Sequence, residues 1–279
     1  MSDTIVVGVT AAPVAARAVA WATARAAALG MSVELVAVIG GALGAVGEDR
    51  VVRAAQDAAD RMLEDHAATV AASRVPVSTR TERGNPVAVL IDASERAALL
   101  VIGSDYRGPD QGAVRGSHGI RISAAAHSPV IVVPDVDLTG RSGVVVGTDG
   151  SDVSAAALRF AADEAERLGE PLIAVSVWTP MPIPGPISGY PEPYLDGMQE
   201  VTAEILRGSL TEIREAHPDL QITEQVECGY PSAIINDRAQ SARLTVVGSH
   251  GRGAIARLLL GSISHEVLAR LATVTAIVR

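Results

Sequence analysis

The chain repeats itself, and this repeat constrains its fold more than any other feature of the sequence. Residues 5–10 match residues 144–149 at an offset of 139, and the offset holds to a Leu-Gly pair about twenty residues later. The match resumes at an offset of 145 in three later blocks, which pair residues 84–86 with 229–231, 101–104 with 246–249, and 116–117 with 261–262. Each copy has the size of an ordinary domain. We therefore predict two domains, 1–138 and 139–279, joined near residues 135–142.

The two offsets differ by six residues, so the second copy must contain an insertion of that length between the matched blocks. Residues 180–194 include six prolines among fifteen residues. Proline disfavours both helix and central strand, and a proline-rich stretch between periodic segments indicates a loop. We expect the insertion to lengthen this loop.

In each copy, short apolar runs alternate with segments of helical periodicity. The predicted strands are 4–9, 32–38, 75–82, 98–103 and 129–133, then 143–148, 171–177, 220–228, 244–248 and 274–278. The predicted helices are 14–29, 48–72, 86–97 and 117–126, then 152–168, 196–216, 231–242 and 262–271. This alternation predicts an α/β chain with two tandem, doubly wound, parallel five-stranded sheets and helices on both faces. Ligands of such folds bind beyond the carboxyl ends of the strands.

A glycine pattern follows the fourth predicted strand of the second copy. It consists of Gly248, two residues, Gly251, nine residues and the pair Gly261-Ser262, and a segment of helical spacing follows. Glycines let backbone N–H groups approach an anion, and the amino end of a helix adds its dipole. A single Gly-x-x-Gly most often marks only a turn. Here the strand, the three glycines, the serine and the helix agree, and together they predict a phosphate site.

Composition excludes several classes of partner and enzyme. Hydrophobic residues are 48% of the chain but aromatic residues only 3%, so the core must consist of Ala, Val, Leu and Ile, which suits helices packed on a parallel sheet. The net charge is -9, which argues against nucleic acid or an anionic membrane surface as the main partner. All 23 basic residues are Arg, so the lysine of a Walker A motif is absent.

The few cysteines and histidines predict neither a disulfide nor a metal site. Cys228 is the single cysteine, which fits a reducing cytosol, and we interpret it as a small buried hydrophobe. No two of the six histidines have the i, i+4 spacing of a helical zinc site. The first residues lack the features of a signal peptide, and no apolar run approaches the length of a membrane span. We expect a cytoplasmic protein.

Three features together resemble one known family. They are the glycine pattern after residue 247, the ending Val-Gly-Thr-Asp-Gly-Ser of the first strand at 146–151, and the tandem layout. They resemble the universal stress proteins, in the two-domain, ATP-binding type common in actinobacteria, and the resemblance covers essentially the whole chain. It implies the strand order 3-2-1-4-5 in each domain and a molecule of ATP, with Mg²⁺, across the strand ends.

The resemblance also implies roles for individual residues. Asp149 would accept hydrogen bonds from the ribose hydroxyls, and Val177 would contact the adenine. The phosphates would be held by Gly248, Gly251, Gly261, Ser262 and Ser264. Independently of the resemblance, Arg252 directly follows Gly251 and is a better candidate for a phosphate contact than His250, the alternative being a solvated loop arginine. His250 is either a phosphate contact or an exposed loop residue. Trp178 either covers the adenine or packs beneath the proline-rich loop, and we favour packing.

The first copy departs from this pattern at two positions. Thr10 replaces Asp149, and Tyr106 stands where Gly251 stands in the second copy. Gly103, Gly116 and Ser117 remain, and they are weaker candidate contacts. We therefore interpret the first domain as a degenerate nucleotide site with a structural or pairing role.

The resulting hypothesis is an ATP-binding stress-response protein whose nucleotide occupancy sets its shape or its surface for an unknown protein partner. No catalytic residue is predicted, and ATP turnover is expected to be slow or absent. The resemblance also implies contacts through the last strand of each domain, and hence pairing of the two domains and a homodimer. The alternative is a scaffold that pairs through those strands and whose protein partners, rather than ATP, define its role.

Overall fold

The alternating apolar runs form parallel strands, and the helical segments between them cover the sheet. In this computed structural model, residues 3–40, 48–105, 117–181, 189–251 and 260–279 are described, with the backbone alone for 48, 49 and 117. Two units, residues 1–136 and 137–279, are each compact and are treated separately below.

The first unit has five described strands and four described helices. The strands are β1 (Thr4–Val9), β2 (Ser32–Ile39), β3 (Val77–Arg83), β4 (Leu99–Ser104) and β5 (Val130–Pro134). The helices are α1 (Val14–Leu29), α2 (Glu48–Ala72), α3 (Pro86–Ser94) and α4 (Ser117–Ala125). The strand order is β3-β2-β1-β4-β5, and all four pairings are parallel.

The second unit repeats this arrangement. Its strands are β6 (Val144–Gly147), β7 (Leu172–Trp178), β8 (Ile222–Cys228), β9 (Leu244–Gly248) and β10 (Val274–Val278). Its described helices are α5 (Asp152–Leu168), α6 (Glu192–Ser209), α7 (Thr211–Ala216), α8 (Pro231–Ala239) and α9 (Ser262–Arg270). The order β8-β7-β6-β9-β10 is again 3-2-1-4-5, with every pair parallel. The predicted fold class and strand order are thus confirmed.

The small residues of the sequence are used where helices meet the sheet. The sheet-facing side of α5 consists of Ala157, Leu158, Ala161, Ala162 and Ala165, all fully buried. The central strand β6 is buried from Val144 to Val146. Alanines bring a helix close to the β-branched surface of a parallel strand, so a dense core needs few aromatic residues.

The repeated Leu-Gly pairs end the first helix of each unit. Gly30 follows α1 and Gly169 follows α5, and both have φ of 65° in the left-handed region. Glycine adopts this conformation without a steric cost from Cβ, so it ends a helix and turns the chain toward the next strand. The Leu-Gly pair therefore occurs in both copies because both units need the same turn from helix to strand.

The prediction of one helix over 196–216 was wrong. Two helices, α6 and α7, occupy this region, and α6 begins four residues earlier, at Glu192. The earlier start includes Pro193, which the first turn of a helix tolerates. The break follows Ser209, whose hydroxyl donates to the Ile205 carbonyl at 2.8 Å, a local bond that competes with the helical backbone.

The remaining predicted elements are present, with ends displaced by up to three residues. Within the described ranges, no helix is both long enough and apolar enough to cross a bilayer.

Candidate functional site

The site lies where the carboxyl ends of β6, β7 and β9 meet. These strands are neighbours in one parallel sheet, so the segments after them share one edge. Residues 148–151 follow β6, residues 249–251 follow β9, and α9 begins at Ser262. The candidate residues of the second copy that the structure describes lie at these strand ends or in the first turn of α9.

Asp149 is held in a tight turn between β6 and α5. Its Oδ1 accepts a hydrogen bond from the Ser151 N–H at 3.0 Å, the bond of an Asx turn. Ser151 then caps α5, because its Oγ accepts from the Ser154 N–H at 3.2 Å. The Thr148 and Ser154 hydroxyls also share a hydrogen bond of 3.1 Å. The carboxylate therefore has a defined position at the strand end.

Gly251 lies directly against this carboxylate. A β-carbon built on Gly251 would be 2.7 Å from Oδ2 of Asp149, closer than real β-carbons approach another atom. The predicted ribose acceptor and the second glycine of the pattern are thus neighbours, although about a hundred residues separate them in sequence. A side chain at 251 would displace the carboxylate, so glycine is required here by the site.

Gly261 brings the amino end of α9 to the same place. Its N–H donates to the Ser249 carbonyl at 2.8 Å, and it serves as the N-cap of α9. No side chain caps this helix, its first turn contains no acidic residue, and Arg270 lies in its last turn. An uncapped, positively polarised helix end beside a glycine loop can accept an anion. Ser262 is the first helical residue, not the cap, and it is exposed.

His250 has one satisfied and one unsatisfied ring nitrogen. Its Nδ1 lies 2.8 Å from the hydroxyl of Ser249, a buried residue whose N–H donates to the Val278 carbonyl at 2.6 Å. Its Nε2 is buried and has no partner among the described residues. A buried polar atom without a partner costs free energy that a hydrogen bond to a ligand would recover. The structure therefore excludes a fully exposed His250 and leaves a ligand contact open.

Three predicted phosphate contacts are used by the fold itself. A β-carbon on Gly248 would lie 2.9 Å from Cγ1 of Val153, so this glycine lets α5 pack against β9. Gly103 has the same relation, also at 2.9 Å, to Cγ1 of Val14 in the first unit. Ser264 is buried, and its hydroxyl donates to the Gly248 carbonyl at 2.5 Å. Packing and strand-to-helix bonding therefore account for Gly248, Gly103 and Ser264.

The two candidate residues at the end of β7 differ in their burial and in their contacts. Val177 is half-buried and packs against the cluster of Val145, Val175 and Ala242. Trp178 is only 7% exposed, and its Nε1 donates to Oε1 of Gln199 on α6 at 2.8 Å. The favoured interpretation of Trp178 as a packing residue is confirmed, since a buried indole with a satisfied N–H is typical of a core position.

The interpretation of Cys228 as a buried hydrophobe was wrong, because the residue is exposed. Cys228 is the last residue of β8, which ends the strand order of its unit, and Gly229 follows with a φ of 153°. At the end of an outer strand, none of the described elements of the second unit covers the thiol.

Three sequence candidates, Arg252, Gly116 and Tyr106, lie outside the described residues, and for Ser117 only the backbone at the start of α4 is described. No group of three or more His, Cys, Asp or Glu side chains suited to a metal is found in the part of the chain that the structure describes.

Sequence reasoning missed a carboxylate on α9. Glu266 accepts hydrogen bonds from the hydroxyl of Ser232 at 2.5 Å and from that of Tyr230 at 3.0 Å. The Ser232 bond and then the Tyr230 bond lower the pKa of Glu266, and the bond to Glu266 raises the pKa of Tyr230. The available signal was a charge reversal in the repeat, since Arg121 stands at the matching position of the first copy.

Comparison with known proteins gives a consistent result for both units. The model of the universal stress protein family matches residues 1–134 and again 141–279. Universal stress protein Mb2019 of Mycobacterium bovis is 34% identical over 189 residues, which span 66% of this chain and 60% of that protein. A universal stress protein of Mycolicibacterium smegmatis is 33% identical over 224 residues, 79% of this chain and 72% of the relative. The fold matches a crystal structure of a universal stress protein from Archaeoglobus fulgidus with a TM-score of 0.72 at 19% identity, covering 99% and 98% of the two chains.

Proposed function

The chain belongs to the universal stress protein family, and on that premise we propose that its second unit binds ATP and that occupancy of this site regulates a stress response. The contact between Asp149 and Gly251 carries the proposal. A carboxylate fixed beside a glycine loop supplies charged acceptors for the two ribose hydroxyls. The amino end of α9 supplies backbone donors for phosphate a short distance away.

Each part of the nucleotide has a candidate partner. The ribose is assigned to Asp149, and the phosphates to the backbone of Gly251 and Gly261 and to the exposed Ser262. His250 would donate from Nε2 to a phosphate oxygen, which gives its unsatisfied nitrogen a partner. Arg252 stays a predicted phosphate contact, and Val177 stays the predicted adenine contact. Gly248 and Ser264 would act by shaping the loop.

Mg²⁺ would come with the nucleotide. The described residues contain no three-ligand cluster for a metal, and Mg²⁺ in nucleotide sites is commonly held by phosphate oxygens and water with few protein ligands. We assign no catalytic residue, and we expect ATP turnover to be slow or absent.

The test is the stoichiometry of ATP binding to the whole chain by isothermal titration, repeated with Asp149→Ala. We expect about one tight site per chain, and an affinity about ten- to a hundredfold weaker in the variant, because a hydrogen bond to a charged group contributes roughly 1.5–3 kcal/mol. Asp152→Ala is the matched control, since it removes an exposed carboxylate three residues further on. Two equal tight sites, or normal binding by Asp149→Ala, would contradict the proposal.

Association of two chains stays a prediction of the family resemblance, a protein partner stays part of the functional hypothesis, and a cytoplasmic location stays a prediction from the cysteine content and the first residues of the sequence. Light scattering at micromolar concentration tests the first, and a monomer would contradict it. Repeating the measurement with saturating ATP tests whether occupancy changes assembly.

A further inference from the structure

We propose that Glu266 is a positioning residue of the nucleotide site, because its bonds to Ser232 and Tyr230 hold the amino end of α9 where the phosphates bind. This inference rests on the proposed function. We call Glu266, Ser232 and Tyr230 together the α8–α9 latch. Glu266 lies one helical turn after Ser262, so a restraint on its carboxylate is also a restraint on the first turn of the helix.

The latch uses both oxygens of the carboxylate. Ser232, which is buried, donates to Oε2, and Tyr230, which is exposed, donates to Oε1. Hydrogen bonds to an ionised carboxylate are stronger than those between neutral groups. The lowered pKa of Glu266 agrees with a carboxylate that stays charged at neutral pH.

The Tyr230 end of the latch is connected to β7, the strand whose carboxyl end carries the predicted adenine contact. Gly229 immediately precedes Tyr230. Its N–H donates to the Trp178 carbonyl at 2.9 Å, and its carbonyl accepts from the Thr179 hydroxyl at 2.7 Å. A continuous series of hydrogen bonds therefore runs from the end of β7, through the start of α8, to α9. It links the two ends of the proposed site.

Other polar restraints near the amino end of α9 are the Ser264 hydroxyl, which donates to the Gly248 carbonyl, and the Gly261 N–H, which donates to the Ser249 carbonyl. The helix has nine residues, its N-cap is a glycine, and no side chain caps it. Short helices are marginal by themselves and depend on tertiary contacts for their position. Val267 and Leu268 anchor the buried side of α9, and the latch adds polar contacts that tie this helix to the start of α8.

The first unit has no such latch at the matching positions. Asn85 stands in place of Tyr230, Val87 in place of Ser232 and Arg121 in place of Glu266. Asn85 instead caps its own helix, with its Oδ1 2.9 Å from the Val87 N–H. The latch therefore accompanies Asp149 and Gly251 and is missing where both are replaced. Its distribution fits a role in the site better than a general role in the fold.

A charge effect and a positioning effect predict opposite results. Glu266 is an anion near a proposed phosphate site, so its removal should strengthen ATP binding if only electrostatics acts. If the latch positions α9, removal should weaken ATP binding. Adenosine lacks phosphates and makes no contact with the amino end of α9 in this arrangement, so its affinity should stay nearly constant.

The experiment compares ATP and adenosine by isothermal titration on the full chain. In Glu266→Ala we expect ATP affinity to fall about tenfold, as the loss of one charge-assisted contact would predict, with adenosine changed by less than about twofold. The double variant Tyr230→Phe, Ser232→Ala keeps the charge and should weaken ATP similarly. Glu266→Gln keeps one acceptor oxygen and places an amide N–H, which a hydroxyl can accept, at the other position, so it should restore part of the affinity that Glu266→Ala loses. Glu200→Ala, an exposed change on α6, is the control.

Each other outcome has a definite meaning. Equal losses for ATP and adenosine would assign the latch to general stability, and an unchanged or tighter ATP affinity would leave only a charge effect. Either result overturns the inference while the proposed function stands. If the wild-type chain does not bind ATP, whether or not it binds adenosine, the proposed function fails and the inference fails with it.

Discussion

The two units share a sheet and differ at the strand ends. In the first, Thr10 directly follows β1, and its exposed hydroxyl accepts a hydrogen bond from the Ala12 N–H at 3.3 Å. In the second, the matching turn contains Asp149, fixed by Ser151 and in contact with Gly251. Strand order and parallel pairing are the same in both. The comparison teaches that this fold tolerates either set of side chains, and that the proposed function resides in the residues placed on it.

The glycines show which positions serve the fold and which serve the proposed site. Gly8 lies against Leu90 of α3 and Gly147 against Ile235 of α8, and a β-carbon would approach these side chains to 3.0 and 2.6 Å. Such glycines repeat because packing repeats. Gly251 has a different neighbour, the Asp149 carboxylate, and it is the glycine that the first copy replaces.

The largest expected effect comes from giving the second unit the residue of the first. Gly251→Tyr should weaken ATP binding by about a hundredfold or more, because its β-carbon would collide with Asp149. The collision would displace the Asp149 carboxylate, which is proposed to bind the ribose, and the backbone of residue 251, which is proposed to bind the phosphates. Isothermal titration measures the loss, and circular dichroism checks the fold.

The control for this change is Gly197→Tyr, on the exposed face of α6 where a β-carbon meets nothing within 4 Å. It should bind ATP normally. If folded Gly251→Tyr kept its ATP affinity, the difference between Gly251 and Tyr106 would not explain a difference in ATP binding between the two units.

The reverse exchange should produce a smaller gain. Thr10→Asp combined with Tyr106→Gly restores both replaced residues of the first copy, and we expect its ATP affinity to rise about tenfold as one charge-assisted contact is regained. The gain should be incomplete because Asn85 and Arg121 cannot form the latch.

This experiment is best done in an Asp149→Ala background, where the second site is weakened and the first can be observed. Thr10→Asp alone provides the matched comparison. No gain in the triple variant would indicate that the first unit lacks more than these two residues.

The smallest expected effect concerns the opposite end of the strands. Glu170 anchors the start of β6, since its Oε2 accepts from the Ser142 hydroxyl at 2.6 Å and the Gly143 N–H at 2.7 Å, and its Oε1 lies 3.0 Å from Arg243 Nη1. In the first unit a neutral pair, Thr4 and Ser32, occupies this place with 2.9 Å between its hydroxyls. The second unit should therefore be the more sensitive to acid at this position.

The Ser142 bond is the largest cause of the lowered pKa of Glu170. A carboxyl group with a lowered folded-state pKa stabilises the fold above its unfolded-state pKa, and the contribution is lost as the pH falls through the lower, folded-state value. Glu170→Gln should reduce the free energy of unfolding near pH 7 by about 1 kcal/mol, since solvent screening keeps the effect small.

Urea denaturation at neutral pH and below about pH 4 measures this difference, which should shrink in acid as the wild-type carboxyl group is protonated. Glu95→Gln, at a carboxylate that is 61% exposed, should change little at either pH. A Glu170→Gln difference that persists unchanged in acid would mean that shape, not charge, anchors β6.

Local sequence determined most of the secondary structure. Strands such as Leu244–Gly248 and helices such as Val14–Leu29 were predicted at their observed bounds, because apolar periodicity and the terminal Leu-Gly pair are signals within one segment. The exception is the break after Ser209, where the Leu210 N–H bonds to the Arg207 carbonyl in the tighter i→i−3 pattern, a local change of backbone that a periodic pattern does not reveal. The internal repeat determined that the same fold occurs twice.

Tertiary structure decided which residues of a motif serve the ligand and which serve the fold. Gly248 and Gly251 look alike in sequence, but the first packs against Val153 and the second against Asp149. Glu266 acquires its importance only from Ser232 and Tyr230, and Cys228 is exposed only because its strand is the outermost of its unit. Each of these distinctions depends on contacts between segments far apart in the chain, and local periodicity carries no information about such contacts.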